Sequence, residues 1–366
     1  MLELYITAAD GNLAKYLAVE NVTQTCSLSN VAVRKDYTSL TTAEKLDYIS
    51  AVNCMFASPS LTPSAEAPGV RSRYEDFVAT HVNQTDYIHL TGNFLYWHRM
   101  FIWEFEQALR NECGYSGYLP YWNYPKTAED LLGSPIFDGT ATSQSGNGNY
   151  LAHNSTPGLP SGLLNIPAGS GGGCIETGPY AGLVANISAV APVDTYENIT
   201  IGDFLSYEPR CVKRDVSNYI GQNWATDSQV ADLLINPDYQ SDIGVWQTQL
   251  QNTGNATVGF YGLHAYGHMT INGDPSTDFY LSPTEPTFWL HHSMVDRLFS
   301  TWQNQDIEAR MFQISGTRTM ANDPPSANAT IEDLIGVGWV SGEYNEGIAI
   351  KNYASIMGGP LCYIYA

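Results

Sequence analysis

No apolar run in this 366-residue sequence is long enough to cross a membrane. Basic residues are scarce: 16 Lys plus Arg stand against 37 Asp plus Glu, a formal net charge of −21. So acidic a chain repels nucleic acid and anionic lipid surfaces, which excludes both as expected partners. There is no C-x-x-C pair, which argues against zinc-ribbon and thioredoxin-like chemistry. H-E-x-x-H is missing, and with it the general base of a zinc peptidase. E-x-x-H pairs, which di-iron bundles use, are missing too. No fixed-period repeat marks a solenoid or propeller. Histidine itself is sparse, with eight in the whole chain.

What is present points to an oxidising compartment. Six cysteines (Cys26, Cys54, Cys113, Cys174, Cys211, Cys362) are widely spread, which fits three disulfides better than a metal site. Six cysteines allow fifteen pairings, and spacing does not choose among them. N-x-S/T sequons at Asn21, Asn83, Asn154, Asn186, Asn198, Asn255 and Asn328 are glycosylation candidates. Together these features predict a secreted, extracellular glycoprotein. Met1-Leu2-Glu3-Leu4 has neither a basic segment nor an apolar run, so a cleavable leader is expected to have been removed. No linker divides the chain, and residues 1–366 read as a single domain. A core of this size does not depend on a metal, so a metal site would serve function. The 24 Tyr and 8 Trp are assigned mainly to core packing.

Four segments carry helical periodicity. The first spans about 70–81, with Val70, Tyr74, Phe77, Val78 and His81 on one face. The second spans about 93–111, with Asn93 as its expected N-cap and Phe94, His98, Phe101, Phe105 and Ala108 on its inner face. The third covers about 257–269. The fourth begins at Pro286 and reaches about 303, with Phe288, His292, Val295, Phe299 and Trp302 inward. Between 125 and 204 the pattern dissolves into Gly- and Ser-rich loop, with Cys174 and Cys211 as candidate staples. The last forty residues read as short strands and turns.

Six of the eight histidines form two triplets. His81, His89 and His98 fall within eighteen residues, and His264, His268 and His292 within twenty-nine. His264 and His268, one helical turn apart, project from the same side. Imidazoles with no neighbouring carboxylate or thiolate ligand suit copper, or less specifically zinc. Three imidazoles per ion leave coordination positions open. Two such ions side by side can bind O2 and deliver two electrons at once, avoiding its unfavourable one-electron reduction.

The flanking residues carry a more specific resemblance. Phe94-Leu95-Tyr96-Trp97-His98-Arg99 resembles the F-x-x-W-H-R block of the tyrosinase family's first copper site. The stretch from Pro286 through His291-His292 to Asp296-Arg297 resembles the P-x-F-x-x-H-H-x-x-x-D-R block of the second. His264-x-x-x-His268, Leu119-Pro120-Tyr121-Trp122 and the Tyr363-Ile364-Tyr365 near the C-terminus are similar to three further family segments. The resemblance runs from about 70 to 365 and is nearest to short, secreted fungal members without a C-terminal shielding domain. It implies a mainly α fold: a central four-helix bundle holding a dicopper (type 3) centre, with long loops and a few short strands. The copper A region would cover about 70–112 and the copper B region about 257–303. By carry-over, copper A is held by His81, His89 and His98, and copper B by His264, His268 and His292, with His291 pointing away. Phe94 and Phe288 would pack on ligand rings. Asp296 would reach back to support His292, and Arg99 and Arg297 would pair with buried carboxylates.

The family reading implies a catechol oxidase or other polyphenol oxidase, with O2 as co-substrate and small phenols as partners. Departures from the family pattern refine it. Tyr87 stands where many members carry a thioether-forming Cys, and Asn123 where a W-D-W version has Asp. Asn255 and Ala265 occupy positions that hold a base-activated water in tyrosinases, and neither can act as that base. Ala265, Met269 and Phe279 are expected to line the pocket. Oxidation of o-diphenols with weak monophenol hydroxylation is therefore expected. An o-aminophenol or substituted-phenol oxidase, a true tyrosinase and, remotely, a hemocyanin-like oxygen carrier are the alternatives.

Overall fold

The computed structural model describes residues 26–27, 29–157, 165–191, 200–251, 262–341 and 345–366. Its frame is five longer helices: α1 (Thr42–Ala57), α2 (Arg73–Ile88), α3 (Phe94–Asn111), α4 (Leu263–Ile271) and α5 (Thr287–Gln305). α5 packs against both α3 and α4, and α2 against α3, so α2 to α5 form the central bundle. Shorter helices, including Asn218–Trp224, Asp227–Ile235 and Ile243–Gln251, surround it. Strands occur only as two-stranded ribbons among the described residues.

Each bundle helix has a local reason to form. Ser72 caps α2 by accepting from the Glu75 N–H, and Glu75 and Asp76 complement the helix dipole in its first turn. α2 runs well past the expected end at 81. Val82, Thr85 and Ile88 continue the buried stripe, while Asn83 and Asp86 lie on the outer face. His89 is its C-cap, and Leu90 follows with φ 51°, a left-handed conformation costing a branched residue about 1 kcal/mol.

Asn93 precedes α3 but makes no side-chain cap; its amide reaches the Tyr87 carbonyl instead. Thr287, not Pro286, is the first residue of α5. The buried Glu285 carboxylate takes the Thr287 N–H at 3.0 Å and is itself paired with Arg214. Of the expected third helix, Thr257 to Tyr261 lie outside the described residues.

Aromatic packing locks the bundle. Trp289 of α5 stacks on Phe105 of α3 at 3.6 Å between ring centroids and an interplanar angle of 3°. Its indole N–H donates to the Tyr74 hydroxyl of α2, which donates to the Pro283 carbonyl. Ala32–Arg34 pairs in parallel with Tyr363–Tyr365, joining the two ends of the described chain. The cysteines resolve into Cys26–Cys362, Cys54–Cys113 and Cys174–Cys211. The last staples the 125–204 region, where Val184–Ile187 pairs with Tyr207–Cys211.

Candidate metal centre

The bundle interior brings the two triplets together. His81 comes from α2, His89 from its cap and His98 from α3; His264 and His268 come from α4 and His292 from α5. Within the first set, ring centroids lie 4.9 Å apart for His81–His89, 5.0 Å for His89–His98 and 5.8 Å for His81–His98. Within the second, they are 5.0 Å for His264–His268, 5.2 Å for His264–His292 and 5.4 Å for His268–His292. The sets meet where His98 stacks on His292 at 4.4 Å and 14°.

Backbone carbonyls orient the first set. Nδ1 of His81 lies 2.7 Å from the Tyr280 carbonyl, that of His98 2.8 Å from Phe94 and that of His89 3.1 Å from Thr85. A ring whose Nδ1–H donates to a carbonyl turns the Nε2 lone pair toward a metal. Nε2 of His81, His98, His264 and His292 is buried with no hydrogen-bond partner. Orphaned buried acceptors of this kind are costly unless something binds them. Burial, reinforced by neighbouring imidazoles, pushes His81, His98, His264 and His292 well below the ordinary histidine range. Burial lowers His89 to about 4 and His268 to about 3. All six rings are therefore neutral near pH 7, the state in which imidazole binds metal. The donors fit two copper ions, with three imidazoles in the first set and four, His291 included, in the second.

Phe94 and Phe288 pack as expected, their rings 4.9 Å from His98 and 4.2 Å from His292. Phe94 also touches His264 at 4.7 Å, so it braces both sets. Three expectations need correction. Asp296 does not reach His292: its oxygens are taken by Arg99 at 2.6 Å, Tyr363 at 2.6 Å and Tyr365 at 2.7 Å, and His292 Nδ1 has no partner. Arg297, half-buried, lies over the Tyr121 ring at 4.9 Å rather than joining that carboxylate network. His291 does not point away. It joins the second set, 4.6 Å from His268 and 5.6 Å from His264, with Nδ1 2.5 Å from the Tyr124 hydroxyl. Sequence reasoning missed this because a neighbouring helix decides where the ring goes: α4 presents Gly267 to it.

A Cβ on Gly267 would overlap the His291 ring. Alanine favours a helix by about 1 kcal/mol over glycine, but overpacking a rigid ring costs about 1–3 kcal/mol. Gly267→Ala is therefore expected to lower stability, as measured by chemical denaturation of the metal-free protein.

At the rim, Phe279 is half-buried with its ring 4.5 Å from His89, and Ala265 and His268 are partly exposed. Met269, next to His268, is buried. Asn255 lies outside the described residues, as do Asn21 and Asn198. Asn83, Asn154 and Asn328 are exposed, whereas the Asn186 amide donates to buried Glu75 at 2.8 Å. Tyr87 is exposed on the outer side of α2, and His153 is bound to Asp215 away from the cluster. No helix among the described residues is long and apolar enough to cross a membrane.

A helical bundle enclosing two facing histidine clusters fits the dinuclear site of the type 3 copper class. Residues 71–305 match the family model for the common central domain of tyrosinase. The chain is 38% identical over 339 residues to tyrosinase P of Aspergillus terreus, covering 91% of each. It is 35% identical to an N-acetyl-6-hydroxytryptophan oxidase of Emericella nidulans, covering 93% of this chain and 94% of that one. A polyphenol oxidase from Thermothelomyces thermophila superposes with a TM-score of 0.87 at 36% identity, covering 98% and 95%. The chain belongs to the tyrosinase family, whose members are copper oxidases.

Proposed function

We propose that this protein is a secreted dicopper oxidase that uses O2 to convert o-diphenols to o-quinones, with weak hydroxylation of monophenols. The observation that carries the reading is the pair of facing clusters whose buried Nε2 atoms have no protein partner. In this reading His81, His89 and His98 hold copper A, and His264, His268 and His292 hold copper B. Bound copper would supply the redox chemistry, taking electrons from the diphenol and passing them to O2. The protein's own residues set the conditions. Backbone carbonyls fix the first three rings, Phe94 and Phe288 hold ring angles, and the apolar shell keeps the imidazoles neutral and excludes water. Phe279 and Ala265 at the rim govern which phenols enter.

Selectivity for diphenols follows from what the rim cannot do. A neutral monophenol must lose its proton before it can bind a metal. Ala265 offers only a methyl group, and Asn255 carries no basic group. The copper-loaded protein is expected to oxidise catechol at least about tenfold faster than the matching monophenol, which would show a long lag. Steady-state oxygen uptake on the pair checks this, and equal rates without a lag would refute it. The similarity to an oxidase of a hydroxylated tryptophan supports a second reading, a substituted-phenol oxidase, which the same assay extended to hydroxyindoles would reveal. The three disulfides and the exposed sequons support secretion.

A further inference from the structure

We infer that Asp278 is a positioning residue that ties the rim of the site to the copper A ligand His81. Its side chain is buried and divides its two oxygens between two segments. Oδ1 accepts the N–H groups of Tyr280 at 2.9 Å and Leu281 at 3.3 Å. Oδ2 accepts those of Val190 at 2.9 Å and Ala191 at 3.1 Å. Four backbone donors converge on one carboxylate, an arrangement that a carboxamide cannot reproduce because its NH2 would face donors.

The turn held by Oδ1 contributes two groups to the site. The Tyr280 carbonyl receives the His81 Nδ1–H at 2.7 Å, and the Phe279 ring covers His89 at 4.5 Å. Tyr280 makes a further tie, its hydroxyl donating to Asp86 of α2 at 2.7 Å. Val190 and Ala191 follow the strand Val184–Ile187, which is stapled through Tyr207–Cys211 to Cys174. Asp278 thus anchors the turn to the disulfide-braced region. That anchorage holds Phe279 over the pocket and keeps the His81 acceptor in place. Groups that orient a ligand histidine typically change metal affinity about 10- to 100-fold when lost.

The inference rests on the dicopper reading, and its test separates the two. Asp278→Ala removes both arms. Asp278→Asn keeps the local bonds to Tyr280 and Leu281, which close the smallest loop, and loses Val190 and Ala191. Two readouts are taken on copper-loaded protein whose folding is verified by circular dichroism. One is the rate at which EDTA strips the first copper equivalent. The other is KM and kcat for catechol and for a tert-butyl-substituted catechol. Asp278→Ala is expected to lose its first copper at least about tenfold faster. Its KM for the bulky substrate should fall relative to catechol, and Asp278→Asn should lie between. Wild-type stripping rates and KM ratios in both variants would overturn the inference. If Asp278→Ala does not fold, Asp278→Asn decides by the same two measurements. Faster stripping in a protein whose wild type does not oxidise catechols would uphold the role of Asp278 and refute the proposed substrate.

Discussion

His98→Ala is expected to bind about one copper per chain and to oxidise catechol at least about a thousandfold more slowly. His98 sits at the junction of the two clusters. Its ring lies 5.0 Å from His89 and 5.8 Å from His81, and it stacks on His292 of the opposite set at 4.4 Å. In the proposed reading, removing it takes one of three imidazoles from copper A and the packing surface from His292 of copper B. Diphenol oxidation needs both ions, so the partly loaded site keeps little of the several kcal/mol that a bound metal contributes, and about 4 kcal/mol is a thousandfold in rate. Metal analysis with oxygen uptake checks this. His153→Ala is the control, since His153 bonds Asp215 outside the cluster and should leave both coppers in place. Two coppers in His98→Ala would remove His98 from the ligand set.

Asp296→Asn is expected to destabilise the fold by about 3–5 kcal/mol. Asp296 is a buried residue of α5 and accepts from Arg99, Tyr363 and Tyr365, with Arg34 at 3.7 Å. Arg34 also bonds Glu106 at 2.9 Å, so two buried guanidinium groups face two buried carboxylates. Burial alone would raise the Asp296 carboxyl, but Arg99 and Arg34 outweigh it and hold the group below the ordinary carboxylate range. The neutral amide keeps the size of the side chain and removes its charge, which leaves Arg99 and Arg34 with one carboxylate between them. The loss also loosens Tyr363–Tyr365, the strand that pairs with Ala32–Arg34. Denaturant unfolding reads the change. Asp333→Asn, which breaks the more exposed pair with Arg318, should change stability far less. A similarly small effect at Asp296 would mean that solvent reaches the arginines.

Much of this site was readable in the sequence because helices impose a strict periodicity. His98 with Phe94 and His292 with Phe288 lie four residues apart, so each pair had to share a face. The same rule placed His264 beside His268. What the sequence did not reveal depends on partners from elsewhere in the chain. Asp296 is four residues after His292, yet Arg99 and two tyrosines from the C-terminal strand take its oxygens. His291 joins the cluster because α4 offers a glycine at the crossing. α2 runs on to Ile88, past the end expected near 81. The disulfide pairs and the role of Asp278 required the fold itself, since each joins segments distant in sequence.

The most direct test of the dicopper centre is the number of copper ions bound per chain in protein that oxidises catechol. Metal analysis of the purified, copper-loaded protein, after removal of loosely held metal, is predicted to find about two per chain, three imidazoles serving each. One copper or none in a preparation with full catechol turnover would contradict the account.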